Sequence, residues 1–535
     1  MSLPNVASSK CSFASPPLTY ILEQKKPVYC WAEEGIARSD FPPSFKFGAS
    51  TSAIQTESHP TDGGRGPSTW DSFIGDLPAI QSYTKYKEDV WCLKNMKADV
   101  YRFSISWPRI LPKGKKGGGI NQEGIDFYNN LIDELTSNGI KPFVTLFHFD
   151  LPSALQEDYN GFLSSNFVGD FNDFADICFN NFGDRVKCWA TFNEPEVFCV
   201  YGYATNLSIE DDPTQYPYMA AHNLILAHAT AVKTYRENYQ STQNGKIGMS
   251  LSAQWFLPLT NTPSDVSAAN RAWDFFIGWF LDPMVMGDYP FSMKAIVRDR
   301  LPQFTEEEQE LVKGSYDFVA INYYTSQYTK GLRFSAGDVP TSYHNDQYLQ
   351  MLTEKDGVPI GPQAEGCDQI YVYPQGLGNI LLNLKLKYND PLIYITENGY
   401  PQKRDDSIPL EKALEDDIRI EFIKDHLGYV LKALRDGVNV GGYFIWALMD
   451  CMEVGSGYTV RYGLNYTDYS DDYKRIPKKS AKWLNHFLTS SPPKESTSKS
   501  CDASWDGRVC FEKMTPARAA FFLLLSCLTS VCYRD

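Results

Sequence analysis

Eight short runs rich in β-branched and aromatic residues recur along this chain, and helical apolar spacing fills the stretches between them. The runs are Phe45–Ser50, Val100–Ile105, Phe143–Phe147, Cys188–Phe192, Ile247–Leu251, Phe318–Tyr323, Leu392–Thr396 and Gly442–Leu448. Amphipathic stretches between them include Gln122–Ser137, Asn166–Asn181, Ala220–Tyr239 and Leu410–Arg435. Eight strands joined by helical crossovers predict an α/β fold, a single (β/α)8 barrel. A doubly wound sheet would want a Gly-rich phosphate turn after an early strand, and none is present. The barrel is expected over residues 41–488. Residues 1–40 read as an N-terminal extension and 489–535 as a polar linker with a short apolar tail.

Composition narrows the function. The 535 residues carry a net charge of −15 and no basic stripe, which excludes nucleic acid as a partner. Twelve cysteines without a CxxC spacing argue against structural zinc, and a single bridge such as Cys178 with Cys188 is left open. No metal or other cofactor is called for. The tail run Ala519–Val531 falls short of the ~20 apolar residues that span a bilayer, so no transmembrane span is predicted, although a removable lipid-anchor signal is weighed there. The start lacks the apolar core of a secretory signal. Its Ser-rich, acid-free opening leans toward a plastid transit peptide. Asn206 and Asn465 match the glycosylation tripeptide.

In a barrel of this kind the chemistry sits where strands end and βα loops begin. The fourth run ends Thr191-Phe192-Asn193-Glu194-Pro195, and the seventh ends Ile395-Thr396-Glu397-Asn398-Gly399. A lone Glu in either setting would pass for a solvated loop acid. Two at matching strand ends are the paired carboxyls that glycosidic cleavage requires. These two segments resemble the signatures of glycoside hydrolase family 1, in particular its plant β-glucosidases. Phe45-Lys-Phe-Gly-Ala, Tyr101-Arg-Phe-Ser-Ile-Ser-Trp-Pro-Arg-Ile, Asn322-Tyr-Tyr-Thr and Gly442-Tyr-Phe-Ile-Trp extend the resemblance over about residues 40–488.

The resemblance implies a retaining β-glucosidase that acts on a glucoside with an apolar or aromatic aglycone. By position, Glu194 is the general acid/base and Glu397 the nucleophile, with Arg102 and the Tyr324 hydroxyl stabilising the Glu397 anion. Gln55, His148, Asn193 and Glu453 are expected to grip sugar hydroxyls, and Trp446 to floor the ring. The implied partner is a small-molecule glucoside. A homo-oligomer is left open, as are vacuole and apoplast beside the plastid.

Several positions depart from the common plant pattern. After the eighth run the family reads roughly Asp-Asn-Phe-Glu-Trp, whereas this chain reads Asp450-Cys-Met-Glu453-Val454. The family's Trp donates an indole N–H to a sugar hydroxyl, which Val454 cannot do. Gln369 stands where an aglycone-stacking Trp is usual, and Phe149 replaces a commoner Trp in His148-Phe-Asp150. The rim stretches Ile74–Thr84 and Tyr203–Pro217 read as shortened. Two alternatives are therefore carried: a family 1 transglucosidase using acyl-glucose donors, which Phe149 and Val454 resemble, and a catalytically silent glycoside-binding barrel.

Overall fold

The computed structural model describes residues 35–57, 62–71, 79–203, 212–335, 339 and 341–490. The chain divides into two units, Met1–Ser491 and Pro492–Asp535. The second unit lies outside the described residues, as do the Ser-rich start, the apolar tail, Asn206 and parts of the two shortened rim stretches (74–78 and 204–211).

All eight expected runs form strands: β1 Lys46–Ser50, β2 Val100–Ser104, β3 Lys141–Phe147, β4 Cys188–Asn193, β5 Lys246–Pro258, β6 Phe318–Gly331, β7 Ile393–Glu397 and β8 Val440–Trp446. Each pairs in parallel with its neighbours. The pairing of β8 with β1, and of β7 with both β6 and β8, closes the ring into a (β/α)8 barrel.

Alternation of side chains along each strand builds the interior in two tiers. In the lower tier Val100, Phe143, Ala190, Phe318, Ala320 and Phe444 form a buried apolar cluster backed by Tyr394. The Phe143 ring lies 5.4 Å from Phe318 and 5.3 Å from Phe444. One inward position further along the same strands, the residues turn polar: Val100 gives way to Arg102, Phe143 to Thr145, Ala320 to Asn322 and Tyr394 to Thr396. The apolar plug therefore closes the bottom, and the polar tier above it faces the C-terminal mouth.

The outward residues anchor the strands to the helices. Helix Asn166–Phe182 buries Phe167, Phe171 and Phe174 at helical spacing. The Phe171 ring packs 4.3 Å from Phe192 of β4, and Trp107 stacks on Phe174 at 5.0 Å. Each such ring contributes roughly 1.5–3 kcal/mol by burial and holds β4, hence the Asn193-Glu194 corner, at a set height.

The structure departs from the sequence expectation in four places. β5 and β6 run well past Leu251 and Tyr323, because the two extensions pair with each other, Trp255 with Ser326 and Phe256 with Gln327, although the β6 side is largely polar. The helix expected over Leu410–Arg435 is two helices, Leu410–Ala413 and Asp417–Arg435. Between them the buried Asp416 carboxylate accepts bonds from the backbone N–H and hydroxyl of Ser480 (2.8 and 2.6 Å) and from Arg419 (2.9 Å). Cys178 and Cys188 are free thiols. Asn465 is buried, with its amide donating to the Leu448 carbonyl at 2.8 Å, so it is a core residue and not a glycan acceptor. Among the described residues no helix is long and apolar enough to cross a membrane.

The segment after β8 is tied down by charge. Asp450, fully buried, accepts from Lys478 at 2.7 Å, from the Gly463 N–H at 2.9 Å and from Arg461 at 2.9 Å. Burial pushes the Lys478 ammonium down to about 8, with Asp450 opposing that shift. Asp450→Ala would leave the buried Lys478 ammonium without its anion and Arg461 with Asp406 alone, at 3.6 Å, a loss of about 3–5 kcal/mol. Urea unfolding followed by tryptophan fluorescence should show the transition at clearly lower denaturant. An unmoved midpoint would mean that the cluster does not hold the loop.

Candidate active site

The mouth of the barrel opens into a cleft of about 1430 Å³. Glu194 and Glu397 both line it, and two backbone irregularities at strand ends present them. Pairing of β4 with β5 shifts register between Ala190 and Asn193, and pairing of β7 with β6 shifts between Ile395 and Glu397. At the first corner Glu194 takes a left-handed backbone (φ 47°), and its N–H donates to the Ser250 carbonyl at 2.7 Å. Such a φ costs a non-glycine residue roughly 1–2 kcal/mol, which the surrounding packing must offset. Pro195 then opens the next helix, where its missing N–H is no loss.

The two carboxyls have opposite surroundings. One Glu397 oxygen pairs with the Arg102 guanidinium, and the other accepts from the Tyr324 hydroxyl at 2.7 Å. Arg102 has no exposed surface and spends its remaining donors on Asn193 Oδ1 (2.6 Å) and Thr145 Oγ1 (3.1 Å). Burial raises the Glu397 carboxyl above the ordinary range, while Arg102, Tyr324 and Asn322 all pull it back toward the anion. Among the described residues Glu194 has no cation in direct contact. Burial first, and then the charge of Glu397, push it up to about 8. Near pH 7 the proton of the pair therefore resides on Glu194.

Asn322 sits beside Glu397 in the sheet and reaches Glu194. Its Nδ2 donates to Glu194 Oε1 and to Asn193 Oδ1, both at 2.9 Å, and its amide draws Glu397 toward the anion. Thr396 Oγ1 orients it by donating to its Oδ1 at 2.7 Å, and Ser250 meets the Thr396 hydroxyl at 2.6 Å. Sequence reasoning quoted Asn322 within a motif but gave it no role. Its inward place near the end of the sixth β-rich run, two residues before Tyr324, was the available signal.

The expected sugar-site residues converge on the same cleft. Gln55, His148, Asn193, Tyr324, Trp446 and Glu453 all line it, whereas Arg102 supports Glu397 from behind. Glu453 Oε2 accepts from the Trp446 indole at 3.1 Å and from Gln55 at 3.3 Å. Burial pushes the Glu453 carboxyl up to about 8, against the pull of the indole. The His148 ring lies 6.0 Å from that of Trp446, nearly parallel to it. Burial and then Arg102 keep His148 well below 6.5, so it is neutral. Asn193 Oδ1 is already occupied, so its Nδ2 faces His148 Nε2 at 3.2 Å, which puts the imidazole proton on Nδ1. That Nδ1 has no partner among the described residues.

Residues 37–492 match the model of glycosyl hydrolase family 1. The chain belongs to this family. Beta-glucosidase 12 of Oryza sativa subsp. japonica is 49% identical over 481 residues, covering 85% of this chain and 94% of that protein. The furostanol glycoside 26-O-beta-glucosidase of Hellenia speciosa is 50% identical over 490 residues, covering 87% and 86%. A rice β-glucosidase crystal structure superposes with a TM-score of 0.82 at 40% identity, covering 85% of this chain and 100% of that one. A glutamate-to-glutamine mutant of the same rice enzyme, solved in a covalent complex with glucose, matches equally well.

Set against the family pattern, the altered positions keep the cleft aromatic. Phe149 (φ 72°) lies under Trp70, with ring centroids 5.6 Å apart at 27°, and Phe198 meets Phe149 edge-on at 5.6 Å. Gln369 and Val454 line the cleft without contributing rings. Among the described residues no three His, Cys, Asp or Glu side chains are grouped to hold a metal ion.

Because Asn322 stabilises the Glu194 carboxylate, Asn322→Leu should raise its proton affinity. A charge-assisted bond of about 1.5–3 kcal/mol corresponds to one to two pH units. The alkaline limb of kcat/KM on an aryl glycoside, set by loss of the Glu194 proton near pH 8, should move upward by about one unit or more. A limb that stayed in place or moved down would remove Asn322 from control of the acid.

Proposed function

We propose that this chain is a retaining β-glucosidase, with Glu397 as nucleophile and Glu194 as acid and then base. The observation that carries the reading is the asymmetry of the pair: a cation and a phenol are spent on Glu397, and none on Glu194. Support also comes from the relatives, which are named β-glucosidases, and from the covalent glucose complex of the rice enzyme.

The terminal glucosyl ring lies over the Trp446 indole with C1 between the carboxyls. Gln55, Asn193, Glu453 and the unpartnered N–H of His148 hold its hydroxyls. Glu397 attacks C1 while Glu194 gives its proton to the departing oxygen. Esterification cancels the Glu397 charge, one of the two influences that raised the Glu194 carboxyl. Glu194 then ionises more readily and takes a proton from the water that attacks C1. Glucose leaves with its configuration retained, and Glu194 is protonated again. Tyr324, whose hydroxyl burial and the Glu397 charge hold well above 10, acts throughout as a donor to Glu397. Trp70, Phe149, Phe198 and Phe276 on the cleft wall favour an apolar or aromatic aglycone.

A 2,4-dinitrophenyl 2-deoxy-2-fluoro-β-glucoside should inactivate the protein. Fluorine slows both steps, and the activated leaving group rescues only the first. Mass spectrometry of the digest should find one fluoroglucosyl group on the Glu397 peptide. Glu194→Ala should slow alkyl glucosides by about 10²–10⁴-fold while sparing formation of the intermediate from the dinitrophenyl substrate. A label on Glu194, or a folded protein inert to every glucoside, would contradict the reading.

A further inference from the structure

The ladder between β4 and β5 ends one bond short. Asn193 stands opposite Ser250, and the Glu194 N–H donates to the Ser250 carbonyl at 2.7 Å. A regular parallel pair would return a bond from the Ser252 N–H to the Glu194 carbonyl. That carbonyl is turned away: with Glu194 in the left-handed region (φ 47°), it takes the Val197 N–H at 3.0 Å and opens the helix Pro195–Tyr203. A side chain from the first turn of that helix takes its place, because Glu196 Oε1 accepts the Ser252 N–H. Glu196 is buried and borders the cleft beside Glu194. Its Oε2 has no partner among the described residues. An apolar side chain would fill the same space without burying an unsatisfied oxygen, so the bond to Ser252 is what the carboxyl contributes.

We infer that Glu196 is a positioning residue for the acid: by holding the Ser252 N–H that the left-handed corner releases, it ties that corner to β5 and fixes the aim of Glu194 at the departing oxygen. This rests on the reading of Glu194 as the acid. The tie acts through geometry and not through charge. Burial, and then the charge of Glu194, hold the Glu196 carboxyl well above the ordinary range, so it is neutral near pH 7, and with Oε1 accepting, its proton lies on Oε2. The titratable groups that face it are Glu194, Cys199 of its own helix and Tyr343, and burial keeps each of these protonated near pH 7. Among the described residues no cation is paired with it. Ser252 is the other end of the tie. Its side chain borders the cleft and draws Glu194 toward the anion, so a fixed Ser252 backbone also fixes that hydroxyl.

The test compares octyl β-glucoside, whose leaving oxygen needs the Glu194 proton, with 2,4-dinitrophenyl β-glucoside, whose leaving group does not. Glu196→Gln keeps a neutral acceptor at the same reach. Glu196→Leu removes it, and Glu196→Asp, as a second variant, shortens its reach by one methylene. A misplaced acid should cut the octyl-to-dinitrophenyl ratio of kcat/KM by about tenfold or more in Glu196→Leu and Glu196→Asp, while Glu196→Gln holds it within about threefold. An unchanged ratio in the folded Glu196→Leu and Glu196→Asp proteins would overturn the inference. So would an equal fall on both substrates, since a merely structural role lowers both alike, or a Glu196→Gln protein as impaired as Glu196→Leu. Glu194→Ala is the control for the reading beneath. If it left the ratio unmoved in an active protein, the assignment of the acid itself would fail, and the inference with it.

Discussion

Arg102 is a cation with no exposed surface at the centre of the barrel mouth, and other strands bring it the oxygen atoms that offset its burial. Burying an isolated ion costs several kcal/mol, and good geometry with full hydrogen bonding offsets that cost. Thr145 of β3, Asn193 of β4 and Glu397 of β7 provide that geometry. Displacing any of these strands by one residue would turn its oxygen to the outer face and strand the guanidinium. The closed sheet and the charged centre therefore specify each other.

From that ion pair follows the division of labour in the cleft. Arg102 and Tyr324 spend their donors on Glu397, and the negative charge so fixed joins burial in holding the proton on Glu194. Asn322 donates to Glu194 and draws both carboxyls toward the anion, which limits how far Glu194 is pushed up. Glu453, raised by burial and by the charge of Glu397, extends the same field to the far edge of the sugar site. One buried cation thus organises three carboxyls, of which a single one is the preferred anion near neutral pH.

Much of this was legible in the chain because strand chemistry repeats at period two. The β-rich runs were read as strands, and the last residues of the fourth and seventh runs pointed to Glu194 and Glu397. What stayed hidden depends on distant partners. The extension of β6 is largely polar along the chain, and it stays in the sheet because it pairs with the extension of β5. The break at Asp416 follows from Ser480, far along the sequence, taking up its carboxylate. Asn465 looks like a surface tripeptide, yet its amide is claimed by Leu448. Asn322 was in view within its motif, but its bond to Glu194 arises only when the ends of β4 and β6 come together. The substitution at Val454 was visible in the chain as a missing indole.

The central claim is that Glu397 forms a covalent bond to the sugar, so that two inversions at C1 return the starting configuration. The most direct measurement is proton NMR of the first sugar released from an aryl β-glucoside, recorded before mutarotation. The account predicts the β-anomer of glucose appearing first, with the α-anomer growing in only at the rate of spontaneous equilibration. An α-anomer appearing first would mean a single displacement by water and would contradict it.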